Sequence, residues 1–113
     1  MFAKHSKNGY TEIIKGLKIK TLCYGNSSLM TEFQLKKDAE LPEHSHPYEQ
    51  TGYLIKGKIR FTINGTAEVM EPGDSWCVPA DILHKAEILE DAVAIEVFYP
   101  VREEYLKFWS AEN

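Results

Sequence analysis

The sequence predicts an all-β domain, an antiparallel barrel or jelly roll with a short C-terminal helix, and three observations carry that prediction. Apolar residues recur at every second position through most of the chain after Lys18, and turn-forming residues cut this pattern into short runs. Three of the four histidines, His44, His46 and His84, fall on two short motifs that bracket a predicted hairpin. Many short strands at close spacing favour a closed or doubly layered antiparallel architecture.

The runs follow in order. Leu29, Thr31, Phe33 and Leu35 share one face of a strand, with Met30, Glu32 and Gln34 on the other. Tyr53 and Ile55 alternate with Leu54 and Lys56 in a second run that ends in a turn at Gly57. Ile59, Phe61 and Ile63 alternate with Lys58, Arg60 and Thr62, and Asn64-Gly65 supplies two residues that accept positive φ. Residues 59–63 are therefore expected to fold back on 66–70 through a tight turn. Further strands are expected at 75–78, 84–89 and 92–99. Pro100 stops the last one, and 101–109 changes to helical spacing with Val101, Tyr105 and Phe108 on one side. That helix is expected to cover a barrel end or to supply a dimer contact.

With 113 residues there is surface for one hydrophobic core, so 1–113 is read as a single domain, with a barrel core over about 18–100 and the helix over about 101–109. A net charge of −4 argues against nucleic acid or an anionic membrane as the main partner, since both want clustered Lys and Arg. The opening MFAKHSKNGYTE lacks the apolar run of a signal peptide, and no stretch approaches the roughly 20 apolar residues that cross a bilayer, so a cytoplasmic location is the expectation. Cys23 and Cys77 lack metal-type spacing and are expected as two buried, reduced thiols.

In His44-Ser45-His46 both imidazoles leave an extended segment on the same side, so one cation can reach both. His84 sits just beyond Pro79 at the start of a later strand. Ligands from two places in the chain fix a geometry that neither segment could hold alone.

These residues resemble the motifs of the cupin superfamily, in its single-domain, RmlC-like form. The first motif, a His-x-His pair followed by a carboxylate and, after six intervening residues, a Gly, reads here as HSHPYEQTGYLIKG from His44 to Gly57. The second reads GDSWCVPADILH, with Gly73, Pro79 and His84 in place. Asp38 and Asp81 stand where the motifs carry Gly, and Ile88 where the second closes on Asn. The resemblance implies a double-stranded β-helix, the cupin jelly-roll barrel. Counting back from Gly57 puts Gln50 rather than Glu49 at the carboxylate position, giving a metal set of His44, His46, Gln50 and His84. If Glu49 points inward instead, Gln50 is a surface residue. Three neutral imidazoles and an amide oxygen leave a divalent ion its full charge, and such donors suit Zn, Ni, Fe, Mn or Co. The alternative is a barrel without metal, whose histidines hydrogen-bond in a polar cavity.

The segment EQTGYLIKG and the tail F-x-P-x-R-E-x-Y-L, from Phe98 to Leu106, are similar to the KdgF family of small cupins. Those proteins act in pectin and alginate breakdown and open 4,5-unsaturated uronate rings to linear keto sugars. The resemblance implies roles for Glu96, Phe98 and Arg102 on substrate, with Glu96 one methylene longer than the family's Asp. Glu96 and Phe98, two apart on one strand, share a face, and Arg102 follows the Pro100 break. A carboxylate-bearing ligand suits that set, because Arg offers a planar fork and Glu can move a proton. The plainer reading is a rim ion pair between Glu96 and Arg102, worth at most ~1 kcal/mol. Tyr53 and Trp76 are further candidates to line a sugar pocket, Trp76 also suiting plain packing. The competing functions are a noncatalytic metal cupin that binds a small acid or sugar, and an Fe or Mn dioxygenase. A homodimer is expected, with apolar surface from 101–109.

Overall fold

The computed structural model describes residues 1–109. Its strands are β1 (Thr11–Ile14), β2 (Leu17–Tyr24), β3 (Leu29–Leu35), β4 (Glu40–His44), β5 (Glu49–Ile63), β6 (Thr66–Met70), β7 (Ser75–Val78) and β8 (His84–Tyr99), followed by a 3₁₀ helix at Glu103–Phe108. All pairings are antiparallel, in the order β1-β2-β3-β8-β5-β6, with β4 on β8 and β7 on β5. The architecture is the jelly-roll barrel expected from the sequence.

Two long strands organise it. The first half of β5 pairs with β7 and with the second half of β8, in the register Gln50↔Val78 and Gln50↔Phe98. Its second half pairs with β6 and with the first half of β8, in the register Ile59↔Met70 and Ile63↔His84. Each long strand thus serves both layers, and the register shifts between Leu54 and Ile59 mark the bend they share. Gly57 stands at that bend with φ +90, and a β-carbon there would lie 2.2 Å from the Asp91 carbonyl oxygen.

This corrects two sequence expectations. Gly57 is a bulge inside one strand and not a turn, and 84–89 and 92–99 are one continuous strand whose alternation of burial breaks at exposed Glu90 and Asp91. A bulge and a turn read alike in sequence, because both interrupt the alternation at a residue with positive φ. The Asn64-Gly65 hairpin forms as expected, with φ of 49 and 82 and the pair Ile63↔Thr66. Asp38 and Asp81, which occupy glycine positions of the motifs, also adopt positive φ, at 72 and 66. Aspartate is among the few side chains that tolerate this region.

Leu17, Leu35, Leu54, Ile59, Phe61, Val78 and Ile88 fill the barrel between the layers. Cys77 is exposed and Cys23 half-buried, contrary to expectation, because Trp76 and Val78 take the inner face of β7 and leave Cys77 outward. The C-terminal helix is shorter than expected and of the tighter 3₁₀ form. It docks on β2, where the Thr21 hydroxyl donates to the Tyr105 carbonyl at 2.6 Å, and Tyr24 meets Trp109 edge-on.

Candidate metal centre and barrel mouth

His44 and His84 are direct cross-strand partners on β4 and β8, and their rings lie 4.2 Å apart. His46, just past the end of β4, brings a third ring to within 4.8 Å of His84. One ligand atom from each of the three lies within 4.8 Å of the others. The shared bend of β5 and β8 folds the far end of each strand back toward this cluster, which is why Gln50 and Phe98 reach it from the opposite layer.

The histidines are oriented for a cation. In each ring Nδ1 faces a backbone carbonyl two residues away: Pro42 for His44 at 2.8 Å, Tyr48 for His46 at 3.0 Å, and Ile82 for His84 at 2.9 Å. A carbonyl only accepts, so Nδ1 carries the proton and Nε2 keeps a free lone pair, the usual second-layer arrangement of metal-binding histidines. His84 Nε2 is buried with no hydrogen-bond partner among the described residues. His46 Nε2 faces the Gln50 amide oxygen at 2.9 Å, so two acceptors point at one another. Burial drives the His84 pKa down to about 4 and lowers that of His46, keeping both imidazoles neutral. The arrangement fits a divalent ion on His44, His46, His84 and Gln50.

Gln50 faces inward and Glu49 outward, as β5 alternates between buried and exposed positions. The same alternation turns Tyr53 away from the mouth, with 47% of its surface exposed on the outer face. This corrects its assignment to the pocket: Gln50 and Tyr53 are three apart on one strand and cannot share a face.

Glu96 is 5% exposed and does not pair with Arg102. One carboxyl oxygen accepts from the Gln50 amide and the other from the Trp76 indole at 2.8 Å. Burial raises its pKa to about 8, against the lowering effect of those two hydrogen bonds. Trp76 lines the cavity below the mouth, 9% exposed, its ring perpendicular to that of Phe61 at 5.2 Å. Its hydrogen bond to Glu96 is a contact of the site that sequence reasoning missed. Its only trace in the sequence is Gly52, which pairs with both residues across the sheet.

Arg102 crosses the mouth from the chain just before the 3₁₀ helix. Its guanidinium lies 4.0 Å from the Tyr105 ring, 5.0 Å from Phe98 and 5.5 Å from Tyr48. Glu104 takes its Nε at 3.1 Å, which leaves the two terminal nitrogens for a ligand. Phe98 is 1% exposed, buried under Arg102 and against His46, so it supports the guanidinium from beneath. A cavity of about 70 Å³ is lined at its polar end by His44, Gln50, Glu96 and Arg102, and deeper by core residues such as Phe61 and Ile88.

Comparison with known proteins agrees with this fold. The sequence profile of the family described as "Cupin domain" matches residues 31–98. The pectin degradation protein KdgF of Dickeya dadantii is 25% identical over 99 residues, spanning 86% of this chain and 90% of that protein. The structure of KdgF from Halomonas sp. shares the fold, with a TM-score of 0.87 at 23% identity over 92% of this chain and 98% of that one. An RmlC-like cupin from Shewanella frigidimarina gives a TM-score of 0.87 at 27% identity, covering 92% and 94%.

Proposed function

This chain belongs to the cupin domain family, and from that premise we propose that it is a metal-dependent enzyme that opens 4,5-unsaturated uronates to linear keto sugars. The observation that carries this reading is the meeting, at one barrel mouth, of three metal-ready imidazoles with a buried carboxyl group and a guanidinium held on aromatic rings. The likeness to KdgF of Dickeya dadantii, a pectin degradation protein, supports the choice of substrate class.

His44, His46, Gln50 and His84 would hold the ion, which when bound supplies Lewis-acid polarisation of sugar oxygens near the anomeric carbon. Arg102 receives the uronate carboxylate on its terminal nitrogens, and Phe98 fixes the height of that guanidinium above the barrel floor. The reaction is an isomerisation. The bond from the anomeric carbon to the ring oxygen breaks, the anomeric hydroxyl loses its proton as the aldehyde forms, and the released enolate takes a proton at C4 to become the ketone. Glu96 accepts the first proton and supplies the second. A carboxyl group whose pKa stands at about 8 is matched to both directions near neutrality.

The test follows the ultraviolet absorbance of freshly made 4,5-unsaturated galacturonate with metal-loaded and chelator-treated protein. The double bond is conjugated with the carboxylate, so opening erases the signal. Metal-dependent acceleration over the spontaneous rate is the expected result. No acceleration with metal confirmed bound overturns the reading in favour of a noncatalytic metal cupin or, where O₂ is consumed, a dioxygenase.

The protein is further inferred to act as a homodimer. Across β3, β8, β5 and β7 the outer face aligns Met30, Val97, Thr51 and Cys77 in one row, and Ile95 with Tyr53 in the next. Met30, Tyr53 and Ile55 are exposed there at 38, 47 and 50%. A second copy is the occupant that would cover this face.

A further inference from the structure

Gly52 lies on the inner face of β5 between Gln50 and Leu54. Its cross-strand partners are Trp76 on β7 and Glu96 on β8, so three adjacent strands place these residues in one row. A β-carbon at position 52 would stand 2.2 Å from Trp76 Nε1, 2.3 Å from its Cε2 and 2.5 Å from Glu96 Oε1. The two neighbours lean over bare backbone and meet at 2.8 Å. Neither could do so over any other residue. The positive φ that requires glycine at positions 57, 65 and 73 is not the reason for glycine here. What position 52 requires is space. Glycine inside a strand weakens it and commonly marks the close approach of another group.

We propose that Gly52 and Trp76 are positioning residues for Glu96, the gap at 52 letting the indole N–H hold one carboxyl oxygen so that the other is presented beside Gln50. The proposal rests on Glu96 being the proton-handling group of the reading above. The indole is itself fixed, because Phe61 packs edge-on against it and it is 9% exposed. Glu96 has three side-chain torsions, and with Oε2 held by Gln50 alone its carboxyl group would pivot about that single contact. The longer arm of glutamate is what spans Gly52 to reach the indole. An aspartate at 96 would fall short of that donor by about a bond length, so the glutamate, the glycine and the tryptophan form one unit.

The experiment compares metal-loaded wild type with Trp76→Phe, Gly52→Ala, the double variant and Glu96→Gln. Phenylalanine keeps an aromatic edge for Phe61 and removes the donor. Trp76→Phe is expected to lower kcat about 10- to 100-fold, the cost of roughly an ångström of misplacement, with KM and metal content unchanged. Gly52→Ala is expected to lose kcat to a similar extent, and the two losses are expected not to add, since both act through Glu96. In ¹H–¹⁵N spectra the Trp76 indole resonance, identified by its absence in Trp76→Phe, is expected to shift in Glu96→Gln and in Gly52→Ala. A wild-type kcat in Trp76→Phe, or an indole resonance indifferent to Glu96→Gln, overturns the proposal. If wild type itself leaves the uronate unchanged, the proposed function fails, and the indole resonance still decides whether the three residues act together. Should Gly52→Ala not fold, Trp76→Phe and the resonance carry the test.

Discussion

Glu96 and His84 are both buried against their charged forms, and their opposite signs give a pH profile that can be worked out. The Glu96 pKa rises from 4.5 to about 8 on folding, so the native state binds the extra proton and stability is lost as pH climbs through that window. The His84 pKa falls from 6.5 to about 4, so the unfolded state binds the extra proton and stability is lost as pH drops through that window. Between 4.5 and 6.5 the Glu96 slope is opposed by that of His84 and, in the same sense, by that of His46, whose pKa burial also lowers, and between 6.5 and 8 the Glu96 slope acts without them. Thermal unfolding of the metal-free protein should therefore show Tm declining between pH 6.5 and 8, with Glu96→Gln abolishing the decline. The same substitution is expected to leave metal content intact and to lower kcat by roughly 10²–10⁴-fold, the usual contribution of a positioned proton donor, measured by uronate absorbance. The metal histidines were legible because their chemistry is written as spacing. The partner of Glu96 was not, since the Trp76 hydrogen bond depends on an absent side chain at Gly52, and a missing β-carbon reads as an ordinary strand glycine.

The strands from 29 to 35 and 75 to 78 and the 59–70 hairpin were legible from alternation, because one face of each meets the core and the other meets solvent. The long strands β5 and β8 were not, because each changes layer partway along and the bend mimics a chain reversal. That bend makes Gly57 the most demanding glycine in the fold. Gly57→Ala meets both the positive φ of +90 and a carbonyl oxygen at 2.2 Å. The backbone term alone is expected to cost ~1–2 kcal/mol, read as a lowered midpoint of urea unfolding, and loosening the bend should weaken metal affinity as well. The 3₁₀ helix was expected from apolar spacing, which does not distinguish it from an α-helix over so few residues. It contributes no fully buried side chain, and its effect on the site comes through Arg102 at its start. Arg102→Lys keeps the charge and loses the planar fork, so KM for the uronate is expected to rise about tenfold or more with a smaller change in kcat.

The barrel has apolar side chains on both faces of its central strands, and alternation alone cannot reveal that, since the second face looks like scatter among polar residues. The sequence drew attention to 101–109 as the apolar surplus, yet Tyr105 turns in against Phe98 and Trp109 against Tyr24. The unsatisfied surface lies instead on the outside of β3, β8, β5 and β7. An isologous pair across this face would bury the same residues twice, and a stable interface of this kind takes roughly 800 Å² from each partner. Each chain carries a net charge of −4, so two copies repel overall, and the exposed Met30, Tyr53 and Ile55 make apolar contact the source of the pairing. Wild-type protein is therefore expected to scatter light as twice 12.9 kDa, with little change on adding salt. Tyr53→Lys combined with Ile55→Lys should return it to 12.9 kDa. Both side chains point away from the barrel interior, so metal content and turnover should survive in the resulting monomer. Persistence of the double mass in that variant would move the interface elsewhere. Loss of turnover with the mass halved would mean that the outer face supports the mouth through the shared strand β5, which carries Gln50 on one side and Tyr53 on the other.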